Sequence, residues 1–286
     1  MSLRILVLAF FVVSLDACWG EPLDSMIDLH VHVSPGSRGE RTANAFDAAR
    51  RARRAGMRAL LIKNHHTETA SQAYLVSQVI TGIEVYGGIV LNRSVGGINP
   101  SAVENMASMS GQLGRMVWLP TFDSEADAPD SDNVPITRNG ELLPEVRAVF
   151  EVMKKHDLAL ATGHVSPEES LLAIREARAA GVERIVVTHP GSSMPLEMQK
   201  EAVLLGALLE YTVLSVSDET FDEFVALIRA VGAENVVLTT DLGQPGNWVH
   251  VEGLNWAVSR LTGAGFSQAE IDVMTKRNPE WLLGLD

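Results

Sequence analysis

Residues 158–191 read LALATGHVSPEESLLAIREARAAGVERIVVTHPG, and their pattern decides the fold. A short apolar run, 158–165, gives way to Ser166-Pro167-Glu168-Glu169. That is a helix start: a hydroxyl residue to cap, a proline for the first turn, and acids near the positive end of the helix dipole. Apolar residues then recur at helical spacing as far as Ala180, and Gly181 ends the helix. A second apolar, β-branched run follows at 184–191. Strand, helix and strand in this order form a parallel crossover unit. Each strand run carries a histidine near its end, His164 and His189.

The same alternation extends outward in both directions. Strands are expected at 26–33, 58–66, 84–92, 115–123, 158–165, 184–191, 207–216 and 235–243. Helices are expected over 43–55, 69–80, 144–156, 167–180, 195–205, 221–231 and 251–261, and Asn99-Pro100-Ser101 marks a further helix start. Eight β–α pairs predict an α/β protein with a single-domain (β/α)8 TIM barrel over 25–286. The other architecture, an open doubly wound sheet, lacks support: no G-x-G-x-x-G follows the first strand and no G-x-x-x-x-G-K-[ST] occurs. The longest irregular piece, DSEADAPDSDNVPITRNG (123–140), follows the fourth strand. A loop of that length in a barrel is expected to be a lid or a binding loop.

Composition narrows the partners. The net charge is −13 over 286 residues, so nucleic acid is not expected, because phosphate binding needs clustered Lys and Arg. A small-molecule substrate is expected instead, and assembly into a homo-oligomer stays open. Cys18 is the only cysteine, which rules out a disulfide framework and a cysteine-based zinc site. Residues 1–24 read as a leader or N-terminal extension. Arg4 precedes the apolar run Ile5–Leu15, and the signal-like stretch 4–20 leaves two localisations open, exported or cytoplasmic.

Six of the eight histidines fall at or near the ends of expected strands: His30, His32, His65, His66, His164 and His189. In a barrel these ends converge on one mouth. Strict alternation puts Asp28, His30 and His32 on one face of the first strand, MIDLHVHV (26–33). It puts Lys63 and His65 together on the second strand and turns His66 away. Asp241 ends the eighth. The inward set is therefore His30, His32, Lys63, His65, His164, His189 and Asp241. Imidazoles with a carboxylate suit Zn²⁺ or a similar ion, and a site with an open position brings the pKa of bound water to about 7. Singly, each residue also has a bland reading: a core histidine, a helix cap, or a lysine reaching to solvent.

The pieces DLHVH (28–32), TGHVS (162–166), VVTHPG (186–191), TTDLG (239–243) and the closing RNPEWLLGL (277–285) resemble the amidohydrolase superfamily. The resemblance runs from about Met26 to the C-terminus. It implies a distorted (β/α)8 barrel, one or two divalent metal ions with zinc the expected one, and hydrolysis by metal-activated water. The bond attacked would be an amide, lactam, ester or lactone. His30, His32, His164, His189 and Asp241 match the family's ligands, with Asp241 also its general base. Asp241, Lys63 and His189 are the candidates for catalytic roles. One departure concerns the fourth strand, which ends WLPTFD (118–123) where two-metal members have a carboxylated lysine or a glutamate. Lys63 could take the bridging role only from the second strand, so a single metal is favoured.

Two alternatives share this kind of metal site. One is a metal-dependent phosphoesterase of the polymerase-and-histidinol-phosphatase type, to which KNHH (63–66) and GIEV (82–85) are loosely similar. The other is a non-oxidative decarboxylase. For the substrate, Arg38, Arg41 and Arg93 lie in expected mouth loops and could hold a carboxylate bidentately, though each equally suits a surface charge.

Overall fold

A computed structural model describes residues 23–36, 39–130 and 132–285. Most of the expected leader, and Arg38, lie outside the described residues. Of segment 1–24 only Leu23 and Asp24 are described, and Leu23 is buried in the core. The strands are β1 (Ile27–His32), β2 (Ala59–Lys63), β3 (Glu84–Val90), β4 (Gly114–Trp118), β5 (Thr137–Arg138), β6 (Glu141–Leu142), β7 (Ala159–Ala161), β8 (Ile185–Val187), β9 (Leu208–Thr212) and β10 (Val236–Thr239). Eight of them form one parallel sheet in the order β1-β2-β3-β4-β7-β8-β9-β10. The sheet closes where His32 N donates to Leu242 O at 2.8 Å. The result is a (β/α)8 barrel in a single domain.

The helices are α1 (Ala45–Arg54), α2 (Ala70–Ser77), α3 (Pro100–Ala107), α4 (Pro144–His156), α5 (Pro167–Ala180), α6 (Leu196–Leu204), α7 (Phe221–Val231), α8 (His250–Gly263), α9 (Gln268–Asp272) and α10 (Asn278–Leu283). Helix α5 shows why the signals worked. Ser166 Oγ accepts from Glu169 N while Glu169 Oε2 accepts from Ser166 N, each at 3.2 Å, closing a capping box. Such a cap stabilises the start by about 1 kcal/mol. Ser170, Leu171, Ala173, Ile174 and Ala177, at helical spacing, are its buried face. Gly181 ends it at φ 91°, a conformation that costs glycine little.

The interior of the barrel is apolar at its lower end. Ile27, Leu29, Ala59, Leu61, Met116 and Ala159 meet there. Leu282 and Leu283 of α10 join the same cluster, so the closing RNPEWLLGL plugs the end opposite the mouth. The fourth loop is not wholly irregular. Within and just past 123–140, β5 and β6 pair as an antiparallel hairpin about Asn139 (φ 54°) and Gly140 (φ 80°). Asn-Gly is a strong short-range signal for such a turn. Among the described residues no helix is long and apolar enough to cross a membrane.

Candidate functional site

The first strand does not keep strict alternation. Asp28 pairs with Leu60 and Val31 with Ile62, so two residues, Leu29 and His30, face the single Leu61. This β-bulge switches the phase of the strand. Below it Ile27 and Leu29 point into the apolar interior; above it His30 and His32 take the inward positions. Asp28 therefore does not join the two histidines, contrary to simple alternation. Its carboxylate turns to β10, where it accepts from Thr240 N (3.1 Å) and Thr240 Oγ1 (2.6 Å), and it also accepts from His30 N (3.1 Å). Burial lifts its pKa to about 6, against those hydrogen bonds.

Above the bulge the mouth turns polar. His30 Nε2 and His32 Nε2 both lie 2.9 Å from Asp241 Oδ1. One ligand atom from each of the three residues falls within 4.8 Å of the others, and all three residues are buried. Lys63 Nζ is 2.9 Å from His30 Nε2 and 5.0 Å from the centroid of the Trp118 ring beneath it. His30 Nδ1 lies 3.0 Å from Glu210 Oε1, which also accepts from Thr239 Oγ1 at 3.0 Å. Burial disfavours charge on His30, but Asp241 and then Glu210 outweigh it and lift its pKa to about 9. Burial also opposes the Asp241 charge, yet His30 beside it holds that carboxyl well below its usual range. Burial lowers His32 to about 4 and Lys63 to about 8.

Five imidazoles form a closed circle around this cluster. Ring centroids are 5.1 Å apart for His30 and His32, 4.8 Å for His32 and His65, and 6.3 Å for His65 and His164. The circle closes through His164 and His189 at 4.9 Å and His189 and His30 at 6.4 Å. The strands end earlier than the apolar runs suggest. His65, His164, His189 and Asp241 thus stand in the loops, two or three residues past the strand ends. His189 (φ 28°) and Asp241 (φ 53°) hold the left-handed backbone that few such residues adopt, a strain often found at functional sites.

Each outer histidine is oriented by a partner. His65 Nδ1 meets Thr121 Oγ1 at 2.9 Å, and Asn92 Nδ2 donates to that same oxygen at 2.8 Å. His164 Nδ1 lies 2.5 Å from Asp127 Oδ2, which leaves its Nε2 facing His189 Nε2 at 3.2 Å. Burial lowers His189 to about 4 and pushes His65 far down, with Lys63 adding to the second effect. Thr121 is spent on His65, and Asp123 accepts from Arg93 N at 2.9 Å.

The donors fit a divalent ion. Zinc takes imidazole nitrogen at about 2.0–2.1 Å and carboxylate oxygen at about 2.0–2.2 Å, so neighbouring donors in a tetrahedral site lie about 3.3 Å apart. The 2.9 Å contacts of Asp241 with both histidines are close to that spacing. Glu210 on Nδ1 is the outer carboxylate that metal-binding histidines usually have. Among the described residues His30, His32 and Asp241 are the group gathered tightly enough to hold one.

The sequence reading missed Glu210, Asp127, Thr121 and Asn92 as partners. Only Glu210 had a signal: a lone acid inside the apolar run ALLEYTVL (207–214). Of the arginines expected to meet substrate, Arg41 donates its backbone N–H to Ser34 Oγ at 2.9 Å. Arg93 Nη1 donates to Asp132 Oδ2 at 2.7 Å.

Comparison with known proteins agrees with this fold. Residues 25–210 match the model of a family described as a family of unknown function (DUF6282). Organophosphorus hydrolase from Deinococcus radiodurans is 15% identical, with a TM-score of 0.63 over 91% of this chain and 92% of that one. A triple variant of that enzyme is 14% identical, with a TM-score of 0.64 over 93% and 95%. A structure described as "Molecular Engineering of Organophosphate Hydrolysis Activity from a Weak Promiscuous Lactonase Template" is 14% identical, with a TM-score of 0.63 over 93% and 97%. No curated protein gives a significant match. At these identities the likeness carries the fold. The barrel, with His30, His32 and Asp241 at its mouth, is what the amidohydrolase resemblance implied.

Proposed function

The chain belongs to the DUF6282 family of unknown function, and from that premise we propose that it is a metal-dependent hydrolase of small esters or lactones, holding one zinc ion. One observation carries the reading: two buried imidazoles and a carboxylate converge at the mouth of a (β/α)8 barrel. Bound there, a divalent ion supplies Lewis acidity and a water acidic enough to react near neutral pH. His30, His32 and Asp241 would hold the ion. His164, His189 and His65 line the same mouth, and His164 and His189 would position the substrate carbonyl. The fold of the organophosphorus hydrolase and of the lactonase template supports ester and lactone bonds over amides.

The roles follow from geometry. Glu210 accepts from His30 Nδ1–H and so presents the Nε2 lone pair inward. Both histidine contacts of Asp241 fall on Oδ1, leaving Oδ2 to take a proton from the attacking water. Lys63, whose Nζ lies 2.9 Å from His30 Nε2, would put its positive end against the charge that develops on the carbonyl oxygen. Trp118 and the apolar interior below keep bulk water out from beneath.

The test is metal content with activity. The purified protein is expected to carry about one equivalent of zinc, to lose ester and lactone hydrolysis on chelation, and to regain both when zinc is returned. The double variant His30→Ala, His32→Ala should bind no stoichiometric metal. Full hydrolysis by metal-free protein would overturn the proposal.

A further inference from the structure

A cavity of about 210 Å³ opens beside the metal cluster, between the loops after β8 and β9 and the start of α7. His189 and Glu210 form its metal side; Thr212, Ser215 and Glu223 give it polar walls, and Phe224 is apolar lining. Its chemistry is one-sided. Two carboxylates and several hydroxyls line it, and among the described residues no lysine or arginine does. Glu210 is 4% exposed, and among the described residues its Oε2 has no hydrogen-bond partner although Oε1 has two. A buried carboxylate oxygen left without a donor is costly, so a ligand that supplies one is favoured. Thr212 Oγ1 and Ser215 Oγ, 3.1 Å apart, share one hydrogen bond and keep acceptor capacity for another.

We propose that this cavity is the subsite for the non-reacting arm of the substrate, and that the arm is a hydrogen-bond donor, a hydroxyl or a primary ammonium, rather than a carboxylate. The assignment rests on the hydrolase reading above. It sets aside the arginine-bound carboxylate that the sequence suggests. Of the described candidates, Arg93 is engaged by Asp132, and neither Arg41 nor Arg93 lines the cavity. A carboxylate arm would meet Glu210 and Glu223 with no cation to offset them, whereas a donor arm fills the vacant acceptor.

The experiment uses zinc-loaded full-length protein and aryl esters of one acyl chain ended by methyl, hydroxyl, ammonium or carboxylate, with spontaneous hydrolysis subtracted. The donor-ended esters are expected to exceed the carboxylate-ended one by about tenfold or more in kcat/KM, the size of effect a matched polar site can give. In the variant Ser215→Ala, Glu223→Gln, the preference for the donor arm over methyl should fall about fivefold or more as those polar contacts go. Both residues are exposed at the rim, so the fold is not at stake. The relative rates of the hydroxyl and ammonium esters tell which donor the site takes. A carboxylate-ended ester that equals the others, or a preference unchanged in the variant, overturns the proposal. If no ester turns over, the hydrolase reading has failed, and calorimetric titration with ethanolamine, glycerol and propionate then decides the subsite. Tightest binding of propionate overturns it; tightest binding of a donor, lost in the variant, supports it.

Discussion

Glu210 Oε1 stands 3.0 Å from His30 Nδ1, and this contact between β9 and β1 sets which nitrogen of His30 faces the mouth. The pair is buried. Replacing Glu210 with Gln keeps the size and removes the charge. Metal affinity, read by chelator competition, is expected to fall about 10–100-fold while the circular dichroism spectrum stays unchanged. Unaltered affinity would show that His30 needs no such support.

In the proposed mechanism Asp241 has a second task beyond holding the ion. In Asp241→Asn one amide replaces the carboxylate, and an amide cannot take the proton from water. Turnover should drop about 10²–10⁴-fold, the share that general base catalysis usually contributes, with metal retained or weakened. Steady-state rates alongside zinc analysis on the same sample separate the two effects. Near-normal turnover would remove Asp241 from the base role.

Gly243 packs against the strand that carries the ligands. A Cβ built there would lie 1.9 Å from His32 O, and its φ of 134° suits glycine alone. Gly243→Ala is therefore expected to cost about 1–3 kcal/mol of stability, as overpacking does, and to weaken metal binding through His32. Denaturant midpoints with and without zinc check both.

His250 is expected to make the fold sensitive to acid. It begins α8, is buried, bonds the Ala48 backbone, and among the described residues its Nε2 has no partner. Burial, with Arg51 nearby, lowers its pKa from 6.5 to about 4. The folded chain therefore refuses a proton that the unfolded chain accepts. This contribution is whole above pH 6.5 and is lost as pH falls toward 4, reaching about 3 kcal/mol. His250→Asn, which can keep the donor to Ala48, should lessen the fall in stability between those pH values by His250's share, while His32 and His189 keep contributing theirs. An unchanged slope would place the acid sensitivity elsewhere.

The barrel was legible because its signals are local. Ser166, Pro167 and Gly181 mark the bounds of α5 without reference to anything distant, and α4, α5 and α7 span the residues expected of them. The site was legible as far as residue type allowed: histidines are scarce, and their position at strand ends stood out. What escaped depends on contacts across the barrel. Glu210 is one acid among many until β9 is set across the mouth from β1. Asp127 sits in a loop whose path no periodicity encodes. Asp28 was misplaced because alternation assumes an unbroken ladder, and the bulge at Leu29 and His30 breaks it. The strand ends were drawn too long because an apolar run continues past the last ladder hydrogen bond.

That same extra residue in β1 divides the strand into two frames. Ile27 and Leu29 follow one parity and His30 and His32 the other. Substitution can therefore reshape the apolar floor without touching a metal donor, and can retune the donors without disturbing the floor. A change of length is different. Removing one residue between Asp28 and Val31 would restore a regular ladder with a single inward residue opposite Leu61, where Leu29 and His30 now both point in, so either a floor residue or a metal donor would be lost. The chemistry of this barrel is thus open to drift by exchange of side chains and closed to insertion or deletion at the point where its first strand begins to carry ligands.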